Sequence, residues 1–151
     1  MTGCAFSNAL RMSARIVLVL ALSVGGCKSP TAPEHEFGVL ATFQVGPSPN
    51  ERFTILITNE DTIREIKAFN KGQSNAGIPN GLVVRGAVSY NKPWSWHIDS
   101  ENIHMAEVTI EINDGLPSFV EAELDGWAGS YYGPWSVRLI SMEPVAAGLY
   151  R

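Results

Sequence analysis

Residues 93–99 read Pro93-Trp94-Ser95-Trp96-His97-Ile98-Asp99, and residues 105–112 read Met105-Ala106-Glu107-Val108-Thr109-Ile110-Glu111-Ile112. Both alternate apolar and polar residues with a period of two, the pattern of a strand that buries one face and wets the other. Trp94, Trp96 and Ile98 share one face of the first stretch, while Ser95, His97 and Asp99 share the other. In the second, Val108, Ile110 and Ile112 point one way and Glu107, Thr109 and Glu111 the other, which makes it the clearest strand pattern in the chain. Two such stretches place a half-covered antiparallel sheet at the centre of the fold.

On the N-terminal side, Phe37–Val45 and Arg52–Thr58 are rich in β-branched and aromatic residues and predict two paired strands around the loop Gly46-Pro47-Ser48-Pro49-Asn50. Asn59 or Asp61 can cap a helix in which Ile63, Ile66 and Phe69 recur at helical spacing, and Lys71-Gly72 ends it. Residues 73–81 predict a loop, and residues 82–88 a strand weakened by Gly86. Beyond the long alternating stretch, Asp114-Gly115 turns the chain. Ser118 and Glu121 then have capping-box spacing, with Leu116, Val120, Leu124 and Trp127 as a helical stripe. Gly126, Gly129 and Gly133 end that helix and open a loop before a last strand, Trp135–Met142. The order β-β-α-β-β-β-α-β predicts an α+β domain: a mostly antiparallel β-sheet with two helices on one face and Trp94, Trp96 and Ile98 turned toward them.

The chain has 151 residues, is 45% hydrophobic and carries a formal net charge of −4, which is the size and composition of one globular domain. Intrinsic disorder would need fewer apolar residues, and a nucleic-acid partner a basic excess. The N terminus reads as an address. Arg11 and Arg15 precede an uncharged apolar run, Ile16–Val24, that matches a signal-peptide core and is shorter than the roughly 20 residues of a membrane span. Gly25-Gly26-Cys27 follows and reads as a bacterial lipobox, with Cys27 the lipidated first residue of the mature chain. Residues 1–26 are thus expected to be a lipoprotein signal peptide, with Met12 as an alternative start. Residues 27–36 form a lipidated cysteine and flexible tether, 37–144 a single domain, and 145–151 a short tail. Losing 1–26 removes two arginines and no acid, so the mature charge drops from −4 to −6. Its one cysteine, Cys27, carries lipid, so no disulfide staples the core. The expected setting is the bacterial cell envelope, with the membrane engaged through the anchor on Cys27; Lys28 after it favours the outer membrane where there are two.

Ile78-Pro79-Asn80-Gly81, Val84-Arg85-Gly86, the 93–99 string, Glu107–Glu111, Asp114-Gly115, Pro117-Ser118, Leu124-Asp125, Trp127 and Pro134-Trp135-Ser136-Val137-Arg138 together resemble a small domain family without an established activity. That family is found in small bacterial secreted proteins and lipoproteins and as the N-terminal domain of an amoebal protein. The resemblance covers about residues 37–142. It implies a cysteine pair in relatives at the positions of Asn113 and Gly133, both absent here. A loop of about 20 residues closed by such a bond is worth roughly 3 kcal/mol in the chain-entropy model.

Several constellations could carry chemistry. His97, Asp99, Glu107 and Glu111 would share one sheet surface if the two alternating strands are neighbours, and oxygen ligands with one imidazole suit a divalent metal. The same residues could do acid–base or hydrolytic work, although no nucleophile elbow is present. Against both stands the solvated face of a half-covered sheet. Tyr131, Tyr132 and Trp135 on a Gly-rich loop could form an aromatic platform for a sugar or a protein. Ile78 and Asn80, in a Pro-Asn-Gly turn, could form a second recognition loop, even one of peptidase-inhibitor type. The reading carried forward is a non-catalytic binding module with no cofactor and an unidentified protein or saccharide partner. A metal-binding or hydrolytic enzyme is the competing class.

Overall fold

A computed structural model describes residues 36–146 of the protein. The signal peptide, Cys27 and nearly all of the tether expected from sequence lie outside that range. In chain order the described residues form β1 (Glu36–Val45), β2 (Arg52–Ile57), α1 (Glu60–Asn70), β3 (Ile78–Arg85), β4 (Trp96–Ala106), α2 (Pro117–Ala122), α3 (Leu124–Trp127), β5 (Tyr131–Tyr132) and β6 (Val137–Ala146). The class is α+β and mostly antiparallel sheet, as the pattern predicts. The strands divide between two three-stranded sheets, ordered β2-β1-β6 and β4-β3-β5, where the sequence suggests a single one.

The first sheet grows from the β1–β2 hairpin, in register from Val39 opposite Ile57 to Gln44 opposite Arg52. Its turn opens on Gly46 at φ +64°, a left-handed conformation that glycine adopts without strain. In the second sheet, β3 pairs β4 on one side and, at Gly81 and Leu82, the short β5 on the other. The two sheets meet along β2 and β4. There Asn91, on a 3-10 turn and buried, accepts the Thr54 N–H on its Oδ1 at 2.7 Å and donates from Nδ2 to the Trp96 carbonyl at 2.9 Å. Four residues along each strand the gap closes: the Thr58 N–H and hydroxyl both donate to the Ser100 carbonyl, at 3.3 and 3.2 Å. β2 and β4 therefore run in the same direction along this seam. At the far edges, residues 133–136 carry the chain from β5 into β6.

Phe43 and Phe53 from the first sheet and Trp96 and Tyr132 from the second fill the space between, every ring at most 2% exposed. Phe53 lies 6.0 Å from Trp96 and 5.3 Å from Tyr132, centroid to centroid, and Trp127 meets Tyr132 edge-on at 5.6 Å. Burial of each such side chain is worth about 1.5–3 kcal/mol. Trp94, Trp96 and Ile98 are buried as expected, but Trp96 packs against Phe53 and Tyr132 rather than onto a helical layer. α1 is capped by Asn59, whose Oδ1 accepts the Asp61 and Thr62 N–H groups, and it inserts Ile66 into the core.

Several local expectations are corrected. The two alternating stretches do not form two strands. The first contributes only from Trp96 onward, to a single β4 that ends at Ala106, opposite Ile78, the first residue of β3. Beyond Ala106 no strand of the described residues continues as partner, so Glu107–Ile112 has strand pattern without a ladder. Between Gly81–Ile103 and Val83–Ile98 the register jumps, leaving residues 99–102 as a bulge in β4. It is this bulge that brings the Ser100 carbonyl to Thr58. Ile78-Pro79-Asn80-Gly81 is likewise no loop; it is the first half of β3. Pro79 is tolerated because Met105 opposite turns its N–H outward to Glu65 (3.3 Å), so the ring nitrogen of Pro79 faces the side that β5 does not reach. Gly81 is required by close packing instead of by a turn, since a Cβ there would lie 2.3 Å from Ile98 Cγ2. The capping box does not form either: the Ser118 N–H donates to Glu51 at 3.0 Å, and Glu121 accepts from the Ser95 N–H and hydroxyl.

The seam makes a direct prediction. Asn91→Leu keeps the branched shape but strands the Thr54 N–H and the buried Trp96 carbonyl. At about 1–3 kcal/mol for each orphaned group, urea unfolding is expected to show a loss of about 3 kcal/mol. A loss no larger than that of an exposed substitution such as Asn70→Leu would show that the sheets do not depend on this side chain.

Candidate functional site

The segment that follows β4 has no ladder partner among the described strands. The chain bends at Glu107, Ile110 is extended at φ −88° and ψ 152°, and a 3-10 turn spans Glu111–Asn113. The segment is tied down from its polar side. The Thr109 hydroxyl donates to the Gly133 carbonyl (2.8 Å), and the Gly133 N–H to the Asn113 carbonyl (2.8 Å). The Trp135 N–H donates to Asp114 and the Tyr132 hydroxyl to the Gly115 carbonyl, at 2.8 and 2.9 Å. Because Thr109 faces inward, alternation sends Val108 and Ile110 outward. Val108 is 83% exposed, Ile110 62% and Ile112 79%, and Trp135, which shares a groove with Val108, is 51% exposed. Ile78, Glu107, Val108, Thr109 and Trp135 line a shallow groove of about 400 Å³. The backbone bond between Asn113 and Gly133 stands where the family resemblance implies paired cysteines. Gly133 has no room for a side chain in this arrangement: a Cβ would sit 2.8 Å from Thr109 Cγ2.

The aromatic platform expected at 131–135 is thereby halved. Tyr131 and Trp135 are exposed, but Tyr132 is wholly buried at the centre of the ring cluster. Neighbouring strand residues face opposite ways, so Tyr131 and Tyr132 cannot both face a ligand. Ile78 lines the groove. Asn80 lies further along β3, with Nδ2 3.1 Å from His104 Nε2 and its Oδ1 buried without a partner.

The four residues considered for metal or acid–base chemistry are dispersed. His97 and Asp99 stand two apart on the outer side of β4, Glu107 lines the Trp135 groove, and Glu111 is exposed on the 3-10 turn. Among the described residues, no group of three or more His, Cys, Asp or Glu is placed to hold a metal ion. Asp99 is engaged in its own bulge: Oδ1 accepts the Glu101 and Asn102 N–H groups, and Oδ2 accepts Asn102 Nδ2 at 2.8 Å. The bond from the Asn102 side chain, then that from the Glu101 backbone, holds its carboxyl below the ordinary value. His97 Nδ1 lies 2.8 Å from the Gly86 carbonyl, and both His97 and Asp99 line a second groove of about 490 Å³ with Leu56, Val84, Val88 and Tyr90.

The sequence of this domain has a counterpart among known domain families. Residues 39–146 match the model of the BP-74 N-terminal domain. The chain belongs to that family. No curated protein and no solved structure matches it. The match to the BP-74 N-terminal domain runs from three residues beyond Glu36 to the end of β6, so both sheets, the seam and both grooves fall inside it. Of this surface, the sequence pattern points to Ile78, Tyr131 and Trp135 but misses Val108, Ile110 and Ile112. Their alternation reads as burial, and the one signal against it is the lack of a strand to pair with them.

Two titrations test this geometry. The folded-state pKa of Asp99 is depressed, so the stability it contributes is present above its unfolded value of about 3.9 and lost as pH falls through the folded value. Asp99→Asn is therefore expected to be about 1 kcal/mol less stable at neutral pH, a figure kept small by solvent screening. It should also lose less stability than the parent on acidification below about pH 4. Equal acid sensitivity in urea melts would remove Asp99 from the bulge. Tyr132 behaves oppositely: burial, then the charges of Asp114 and Glu51, raise its pKa well above the ordinary value. The fold holds it neutral, so stability falls as pH climbs past the unfolded value of about 10. Tyr132→Phe should abolish that alkaline component while costing about 1 kcal/mol for the lost bond to Gly115. An unchanged alkaline limb would assign it to another group.

Proposed function

We propose that the protein is a non-catalytic binding module of the bacterial envelope, held to the membrane by lipid on Cys27, and that it docks a partner protein on the strip Val108–Ile110–Ile112 with Trp135. The observation that carries this reading is the exposure of Val108, Ile110 and Ile112 on one short segment, with Trp135 lining the same groove as Val108, while Thr109 ties that segment to the body of the domain. Contiguous exposed apolar surface on a soluble domain marks an interaction site, and tryptophan is among the residues that anchor interfaces.

The strip lies far from the point where the described chain enters the first sheet. β1 enters the domain at Glu36, opposite Ala146, and the ladder runs to Val45 opposite Val137. Trp135 lies two residues before Val137. The strip therefore sits at the end of the first sheet away from the chain's entry point, roughly 30 Å along a ten-residue strand at about 3.3 Å per residue.

Photo-crosslinking in cells tests the proposal. A photoreactive residue at Val108, Ile110 or Trp135 is expected to give the same discrete adduct, with none from Asn70 on the exposed end of α1. Ile110→Asp should abolish the adduct formed at Val108 while changing stability by no more than about 0.5 kcal/mol, as expected of an exposed site. Adducts as abundant from Asn70 as from the strip would sink the assignment. Retention of the protein in membranes after Cys27→Ala would sink the anchor.

A further inference from the structure

The second groove lies on the opposite side of β4 from the core and is walled by a different part of the chain. Leu56 comes from β2, Val84 from β3, His97, Asp99 and Ser100 from β4, and Val88, Ser89 and Tyr90 from the connection between β3 and β4. That connection is held at both ends. Gly86, at φ +122°, donates its N–H to the Ser95 carbonyl at 2.7 Å, and its own carbonyl meets His97 Nδ1. At the other end Asn91 bonds both Thr54 and Trp96. The groove is thus preformed, and its volume of about 490 Å³ falls in the range of small-molecule sites.

Its polar groups have a definite character. The Gly86 carbonyl can only accept, so His97 Nδ1 carries the proton and donates to it. In the neutral imidazole this leaves Nε2 as an acceptor. Asp99 already accepts three N–H bonds on oxygens that offer about four lone-pair sites, which leaves one for a ligand. His97 and Asp99, two residues apart in the chain, both face this groove. The Ser89 and Ser100 side chains add hydroxyls, and Val84, Val88, Leu56 and Tyr90 supply apolar and aromatic wall. A ligand that fits must offer donors on opposite sides of a compact frame and an apolar face for the wall. A pyranose ring has both: hydroxyl donors across the ring and C–H groups on its faces.

From this we infer that the groove between β3–β4 and the 86–91 connection binds a saccharide, with ring hydroxyls donating to His97 Nε2 and Asp99 and a C–H face against Val84, Val88 and Tyr90. The site is separate from the strip around Trp135, so it stands or falls independently of the partner-protein reading.

The test uses the full chain in mild detergent and follows the imidazole nitrogens by NMR during titration with N-acetylglucosamine, methyl glucoside and cellobiose. Choline and zinc serve as cation and metal controls. The expected result is a saturable shift of His97 Nε2 with at least one sugar, at millimolar or lower dissociation constant, while His104 does not move. Val84→Arg fills the groove from a half-exposed position and leaves the His97–Gly86 bond in place. It should weaken binding at least about tenfold, a loss of about 1.4 kcal/mol. The inference is overturned by no sugar-dependent shift at concentrations far above millimolar, by a shift with choline or zinc alone, or by a sugar response that survives Val84→Arg.

Discussion

Asn91 joins two sheets that could not otherwise form a ladder at that point. β2 and β4 are edge strands of different sheets and run in the same direction, and Asn91 stands between the Thr54 N–H and the Trp96 carbonyl as a spacer that satisfies both. A side-chain amide suits this place because it presents an acceptor and a donor together. Much else hangs on that placement. It sets Trp96 against Phe53 and Tyr132, pins the 86–91 connection over the outer face of β4, and leaves the strand free to bulge at 99–102 and meet Thr58. The arrangement has a cost in the core: the Trp96 indole N–H is buried without a partner.

The second constraint is the early end of β3. A strand pattern can be satisfied only where a neighbouring backbone continues, and β4 loses its partner at Ile78. The chain beyond Ala106 leaves the ladder and is held by side chains and loop backbone: Thr109 to Gly133, Gly133 to Asn113, Trp135 to Asp114. Thr109 anchors from the face opposite Val108 and Ile110, so those two side chains are turned to water. An exposed apolar strip is therefore a consequence of which face supplies the anchors. Where relatives are implied to place a disulfide between positions 113 and 133, this chain uses a backbone hydrogen bond and a glycine.

The two grooves illustrate how a residue's role depends on its surroundings more than its type. Asp99 has the chemistry of a metal ligand, but three of its lone-pair sites are spent on closing a bulge, and the same bonds depress its pKa. His97 has its tautomer chosen by the Gly86 carbonyl. Together they make a small acceptor surface rather than a metal cage, because Glu107 and Glu111 are carried elsewhere when the second alternating stretch leaves the sheet.

Much of the fold is legible from local pattern. The β1–β2 hairpin, the Asn59-capped helix, the burial of Trp96 and Ile98 and the α+β class all follow from periodicity and capping chemistry, which act over a few residues and are written in consecutive positions. What those signals do not contain is the partner. Alternation states that a segment has two unlike faces and not which one is covered, so Val108, Ile110 and Ile112 read as core and lie on the surface. Turn chemistry at Pro79-Asn80-Gly81 is outweighed by close packing against Ile98, and the capping box by a carboxylate from Glu51, far away in the chain. The order of residues alone thus specifies most local elements and the side chains able to make a core. Which edges meet, which face of an extended segment is tied down and which acceptors share a groove are settled by the three-dimensional fold, because each depends on groups distant in sequence finding hydrogen-bond partners at the same place.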